Sequence, residues 1–342
     1  MISYPLFRPL AWLYGRIMRI RNRRFETGKT PVERVSVPVI SVGNICVGGT
    51  GKTPMTIYLL RMLAAHGMHP AMLSRGYGRQ TRGFMHVDAQ STASQVGDEP
   101  LEVYRTFGGA MPVFVCEDRV HGAKRLLQSH PATEDAKIDI LVLDDAYQHR
   151  FIHRDINILL TDYSRLYSRD KMLPEGRLRE LPEGADRADI IIVTKCPDSL
   201  PHEDAKAIRQ ELRPQPRQHL FFSAIAYETI DDPDLADKDM LIFTGIANPQ
   251  PLINHYAPRC RSFHTLRFSD HHKFNATDIR RICSAADKAQ IVITTAKDFS
   301  RLPHPLPASL QGKLHVQHIG TRILFDQEED MKKLILNSIP QY

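Results

Sequence analysis

Chemistry in this sequence concentrates first at Val47-Gly48-Gly49-Thr50-Gly51-Lys52-Thr53-Pro54, between the β-branched run Val35 to Val42 and an apolar segment of helical character. Phosphate oxygens need several N–H groups aimed at one point, and glycines permit this by taking positive φ. Lys52 is placed to reach β- and γ-phosphates, and the Thr53 hydroxyl to ligate Mg²⁺. The helix that starts here adds its positive dipole end. The eight residues read as a nucleotide-phosphate loop. The usual pattern opens with glycine five places before Gly51, where this chain has Cys46. Gly48 and Gly49 supply the freedom in its place.

A second element supports the first. Ile140-Leu141-Val142-Leu143-Asp144-Asp145 is an apolar strand ending in two acids. A carboxylate at such a strand end orients Mg²⁺ and its waters. Asp144 is the metal candidate, and Asp145 is available to the acceptor side. Further polar clusters follow other strands: Ser74-Arg75-Gly76-Tyr77-Gly78-Arg79, Gly97-Asp98-Glu99-Pro100, Glu117-Asp118-Arg119, Gln148-His149-Arg150 and Arg177-Leu178-Arg179-Glu180. In a parallel sheet all strand C-termini share one edge, so these clusters converge near the phosphates. Asp98 could equally cap the helix that Pro100 begins, and Arg119 or Arg179 could form surface ion pairs.

The elements that must position these groups alternate. Strands are expected at Pro70 to Ser74, Met111 to Cys116, Ile138 to Leu143, Ile156 to Leu160 and Ile190 to Val193. Helices are expected at Thr53 to His66, Pro100 to Phe107 and Val120 to Gln128. That alternation predicts a doubly wound, mostly parallel sheet flanked by helices. A second, smaller α/β unit begins near Met240. Its expected strands are Leu241 to Thr244, Ser262 to Phe268 and Ile291 to Thr295, with helices at Pro249 to Tyr256 and Asn275 to Ala289. Leu314 to Phe325 reads as one long strand, pairing with Leu220 to Tyr227 as a two-stranded connector, before a closing helix at Glu328 to Asn337.

Residues 1–20 read as an amphipathic helix with Leu6, Leu10, Leu13, Ile17 and Ile20 on one face. Arg8, Arg16, Arg19 and Arg23 lie opposite. This pattern fits a helix lying in a bilayer interface and equally a helix docked on the protein's own core. No apolar run is long enough to span a membrane, and the arginines rule out a signal peptide. The 342 residues carry a net charge of +6, which suits an anionic partner. Five scattered cysteines lack metal-ligand or redox spacing.

Val47 to Pro54, Ser74 to Gly78, Gly97 to Pro100, Asp144-Asp-Ala-Tyr-Gln-His149, Leu178 to Glu180 and Asp270-His-His-Lys-Phe274 together resemble the tetraacyldisaccharide 4′-kinase family, in order and over almost the whole chain. The family usually has Gly and Phe where this chain has Ala146 and Tyr147. The resemblance implies transfer of the γ-phosphate of ATP to the 4′-hydroxyl of an acylated glucosamine disaccharide 1-phosphate, giving lipid IVA. It implies a peripheral enzyme at the cytoplasmic face of the inner membrane, reaching its lipid through the N-terminal helix. It implies residues 1–25 as that helix, 26–219 as a nucleotide-binding kinase domain, 220–238 as a linker and 239–342 as the smaller domain. By position in the family motifs, Asp98 is the catalytic base, partnered by His271 or the adjacent His272. Lys52 and Mg²⁺ on Thr53 and Asp144 would offset phosphoryl charge, and Asp145 is the remaining catalytic candidate. Ser74, Arg75, Arg119, Gln148, His149, Arg179 and Glu180 are substrate-binding candidates.

Two other classes fit less well. A switch GTPase or partition ATPase is disfavoured because Thr194-Lys195-Cys196-Pro197-Asp198 has its acid one place late for guanine reading, and the lysine of deviant partition loops would fall at Val47. A nucleic-acid module is disfavoured because the N-terminal arginines face an ordered apolar stripe rather than forming a loose basic arm.

Overall fold

A computed structural model describes residues 5–129, 137–227, 235–270, 272–303 and 305–340. The strands are β1 Val39–Gly43, β2 Pro70–Ser74, β3 Met85–His86, β4 Val113–Val115, β5 Ile140–Asp144, β6 Ile156–Asp162, β7 Ile190–Cys196, β8 His219–Tyr227, β9 Asp239–Thr244, β10 Ser262–Arg267, β11 Ile291–Thr295, β12 Leu314–Gln317 and β13 Ile319–Ile323. The helices are α1 Arg8–Glu26, α2 Lys52–Ala65, α3 Ala93–Val96, α4 Asp98–Thr106, α5 Arg119–Ser129, α6 His202–Leu212, α7 Gln250–Tyr256, α8 Ala276–Ala286, α9 Ala296–Phe299 and α10 Glu328–Ser338.

Among the described residues the strands make two sheets. The larger has the order β13-β8-β7-β6-β1-β5-β2-β4-β3, and the smaller β10-β9-β11-β12. Pairing is parallel except at the two ends of the larger sheet, where β13 joins β8 and β3 joins β4 antiparallel. The expected α/β class is observed. Strand β1 lies in the middle, between β5 and β6, and is buried along its whole length. Alternate side chains feed opposite faces, so Ile40 and Val42 pack with Met55, Leu59, Leu60 and Leu63 of α2. Val39, Leu141 and Leu143 pack with Ala123 and Leu126 of α5 on the other side. Both faces are covered, which is why these strands read as unbroken apolar runs.

Two expectations change. The run Leu314 to Phe325 is not one strand; it breaks at His318, leaving β12 in the smaller sheet and β13 in the larger. The pairing of β8 with β13 occurs, but β8 also pairs in parallel with β7. Residues 220–227 are therefore part of the larger sheet rather than a free-standing linker, since the apolar edge of β7 needs a partner. Helix α10 likewise returns to the larger sheet, burying Met331 and Ile335 in the core that contains α2. Only residues 239–317 supply the smaller sheet, not the whole of 239–342.

Helix α1 docks through a strip that sequence analysis did not single out. Ala11, Gly15, Met18 and Phe25 are its buried positions, one or two helical turns apart along one face and small enough at 11 and 15 for close approach. The Leu6, Leu10, Leu13, Ile17 and Ile20 stripe stays exposed, at 51% or more for each residue. The helix is both docked on the protein and apolar toward its surroundings.

Candidate active site

The phosphate loop hangs between β1 and α2. Gly48 and Gly51 take φ of 120° and 82°, and Gly51 caps the start of α2 in the left-handed conformation. Asn44 Nδ2 donates to Thr50 Oγ1 at 2.7 Å, and Thr194 Oγ1 donates to the Thr50 carbonyl at 2.8 Å. Lys195 donates to the Gly49 carbonyl and to Asp162 Oδ2. The first half of the loop pairs with residues 177–179: Val47 N donates to Arg177 O, and Arg179 N to Ile45 O, both at 2.7 Å. Cys46 sits inside that ladder opposite Leu178. Its backbone is extended, so the position does not require glycine. Burial pushes its thiol up to about 11, keeping it protonated.

The paired acids differ sharply. Asp144 is fully buried, accepts from Thr56 Oγ1 at 3.0 Å, and leaves Oδ2 without a hydrogen-bond partner. Burial, with Glu99 and Asp145 nearby, raises its carboxyl to about 7. Asp145 has positive φ, 44°. Burial would raise it too, but Lys52 and Arg179 outweigh that and hold it below the usual carboxylate range. Lys52 Nζ lies 3.9 Å from Asp145 Oδ1. Arg179 forks onto both Asp145 oxygens at 3.1 and 3.4 Å and also reaches Asn44 and the Cys46 carbonyl. Arg119, 4% exposed, donates to the Asp145 and Glu117 carbonyls. Burial and neighbouring Arg75 lower its guanidinium to about 10. An orphaned, buried carboxylate oxygen at the end of β5 suits a hard cation that takes its remaining ligands from water and phosphate.

Asp98 is not the helix cap. Gly97 occupies that position with φ 94°, and Asp98 is the first residue of α4. A Cβ on Gly97 would stand 3.0 Å from the Tyr77 carbonyl oxygen, so glycine here lets the Gly76-Tyr77 backbone pack directly against the start of α4. The next residue, Glu99, is near enough to Asp144 for its charge to raise that carboxyl. Asp98 Oδ2 accepts two bonds from Arg301, at 2.6 and 3.0 Å. Arg301 comes from the segment after α9 and was missed by sequence analysis. The rule that found the other clusters applies to it, since Thr294-Thr295-Ala-Lys297-Asp298 also follows a strand. His271 lies outside the described residues. His272 bonds Asp278 Oδ2 at 2.8 Å and stacks on Phe268, so it belongs to the head of α8.

The remaining candidates separate into two groups. Arg75 is exposed beside Arg119, and Ser74 is buried with its Oγ accepting from Gly76 N. Gln148 and Glu180 form scaffold instead. Gln148 Nε2 donates to the Asn44 carbonyl and to Glu180, both at 2.7 Å. Glu180, 0% exposed, also accepts from Arg187 and from Asn22 of α1. Tyr14 and Arg21 add bonds from α1 to Arg179 O and Gln148 O. His149 is driven down to about 4 by burial and by Arg119, hence neutral at pH 7. The unusual Tyr147 is buried with its hydroxyl on Gly184 O at 2.9 Å and Arg187 over its ring, so its extra oxygen is accommodated.

A glycine loop closing on paired acids at the edge of a mostly parallel sheet is the working end of a P-loop phosphotransferase, and here a second sheet reaches in to hold a third acid. Comparison with known proteins narrows the class. The family profile described as tetraacyldisaccharide-1-P 4′-kinase matches residues 3–340. The tetraacyldisaccharide 4′-kinase of Bacteroides fragilis is 38% identical over 97% of this chain and 92% of its own length. That of Flavobacterium johnsoniae is 40% identical over 86% of each. The crystal structure of the Aquifex aeolicus LpxK in complex with ATP superposes with TM-score 0.73 at 25% identity, covering 98% of both chains. The chain belongs to the tetraacyldisaccharide 4′-kinase family, and so to the ATP-dependent kinases of lipid A biosynthesis.

Proposed function

We propose that this chain transfers the γ-phosphoryl group of ATP to the 4′-hydroxyl of tetraacyldisaccharide 1-phosphate, with Asp98 accepting the hydroxyl proton. The observation that carries the reading is a glycine phosphate loop whose Lys52 lies 3.9 Å from Asp145, beside the orphaned carboxylate of Asp144, in a member of this family. The loop N–H groups and Lys52 hold the phosphates. Arg179 keeps Asp145 ionised and turned toward Lys52. A sugar hydroxyl is a weak nucleophile at neutral pH, so a positioned carboxylate lowers the barrier by taking its proton as the bond to phosphorus forms. His271 is the expected second member of that proton path. Thr53 and Asp144 would hold Mg²⁺, with Asp145 alongside; when bound, the ion would neutralise phosphate charge. Arg75 and Arg119 suit the acceptor's 1-phosphate, whereas Gln148 and Glu180 act by fixing the loop.

No described helix is long and apolar enough to cross a membrane. The exposed α1 stripe supports peripheral attachment to the inner membrane's cytoplasmic face, with the arginines toward lipid phosphates. The test is kinase activity of the purified protein with Mg²⁺-ATP and the acylated disaccharide in detergent micelles. Asp98→Ala should lower kcat by roughly 10²–10⁴ while leaving ADP binding intact. Near-wild-type turnover in that variant would remove Asp98 from the chemistry.

A further inference from the structure

The smaller sheet presents one charged assembly to the larger. Asp298 is fully buried, and both its oxygens are occupied. Oδ2 accepts from Thr244 Oγ1 at 2.6 Å and Thr295 Oγ1 at 2.7 Å. Oδ1 accepts from Gly245 N at 3.0 Å and Arg301 Nη1 at 3.3 Å. These donors come from the ends of β9 and β11, so the carboxylate is fixed to the sheet framework. Arg301 is thereby held at Nη1, and its Nε and Nη2 donate to Asp98, 203 residues earlier in the chain. The Arg301 side chain is 3% exposed. One helix turn away, Lys297 pairs with Asp270 of the Asp-His-His segment at 3.4 Å. Helix α9 and the residues just after it therefore touch both the base, through Arg301, and the loop that carries its expected histidine partner, through Lys297.

We propose that Arg301, anchored by Asp298, is a positioning residue for phosphoryl transfer: it fixes the Asp98 carboxylate in its reactive orientation and makes that orientation depend on apposition of the smaller sheet. This rests on the reading of Asp98 as the base. A buried, doubly hydrogen-bonded guanidinium fixes both the rotamer and the ionised state of a carboxylate better than a freely moving ammonium does. The Arg301 guanidinium is engaged with Asp98 and Asp298, so its loss should leave nucleotide binding unaltered. The consequence is a coupling between units. With the smaller sheet swung away, Asp98 loses the group that aims it, and ATP bound in the loop is spared transfer to water.

The experiment is a double-mutant cycle on the full chain, with kcat and the KM values for ATP and acylated disaccharide measured separately. Arg301→Met should lower kcat by roughly 10- to 100-fold, the scale of a misaligned reacting group. The KM for ATP should stay within about twofold, since uniform binding is not lost. Arg301→Lys should recover part of kcat. In the Asp98→Ala background, Arg301→Met should cost little more, because its effect runs through Asp98. Should Arg301→Met unfold, Arg301→Gln keeps a hydrogen-bond donor and carries the same cycle. Additive losses in the cycle, or a loss confined to KM for ATP, would overturn the proposal. An inactive Asp98→Ala beside a fully active Arg301→Met would overturn it while leaving the base intact. An active Asp98→Ala would remove the base reading itself.

Discussion

Exchanging Leu13 and Ile17 of α1 for glutamine isolates the outward stripe from everything else the helix does. The two residues are 51% and 53% exposed, so together they present about one full aliphatic side chain. Full burial of such a side chain is worth about 1.5–3 kcal/mol. Partitioning onto a bilayer should therefore weaken by roughly 10- to 150-fold in the double variant, at about 1.4 kcal/mol per decade. Glutamine is close to leucine in helix propensity, so the helix itself should persist. The docking strip of Ala11, Gly15, Met18 and Phe25 is untouched, and so are the bonds from Tyr14, Arg21 and Asn22 to the site. The assay is co-sedimentation with vesicles containing anionic phospholipid, alongside ADP binding as a control for the loop. Turnover on substrate in vesicles should fall with the partition coefficient, while turnover on a short-chain, water-soluble acceptor should not. Unchanged sedimentation of a folded double variant would refute the assignment of this face to lipid.

Two further outcomes follow from the packing. Gly43→Ala should destabilise the fold by about 1–3 kcal/mol, as overpacking does, because its Cβ would lie 2.7 Å from Tyr147 Cβ; urea unfolding reads this, and a wild-type midpoint would contradict the geometry. His149, titrating at about 4 in the fold and near 6.5 in an unfolded chain, binds fewer protons when folded, so its stabilising contribution is lost as pH falls from about 6.5 toward 4. His149→Phe should gain stability relative to wild type between pH 7 and pH 5. The comparison between variant and wild type cancels buried Asp144, whose raised carboxyl acts in the opposite sense; an offset independent of pH would argue against a neutral buried imidazole.

The larger sheet and its loop were legible because parallel strands buried on both faces read as apolar runs, and because phosphate binding imposes glycines and a lysine at fixed spacing. In the smaller sheet β9 and β11 were legible for the same reason, whereas β10 is a largely exposed edge strand. What misled was continuity: Leu314 to Phe325 looks like one strand, and only pairing partners reveal that His318 divides two sheets. The α1 docking strip was hidden because Ala11 and Gly15 carry no hydropathy signal; close approach, not apolar area, selects them. Arg301 and Asp298 were hidden differently. Their meaning lies in a contact between units that no local spacing encodes, although the strand-end rule reaches their neighbourhood.

These differences bear on how the site works. The phosphate loop alone binds anions, and its conformation is held by a ring of positioning groups: Asn44, Gln148, Arg179 and Lys195. Two of those lead, through Glu180 and the Arg179 carbonyl, to Asn22 and Tyr14 of α1. The exposed stripe and the loop are thus opposite sides of one short hydrogen-bonded chain. On the far side, Asp98 is held from the smaller sheet through Arg301. On the proposed reading, a nucleotide in the loop would lie between one element that faces lipid and another that fixes the base, and neither belongs to the phosphate motif. A kinase that must ignore water and wait for a lipid hydroxyl needs that division. Binding energy from the membrane side and alignment from the second sheet are then available only when the acceptor is in place.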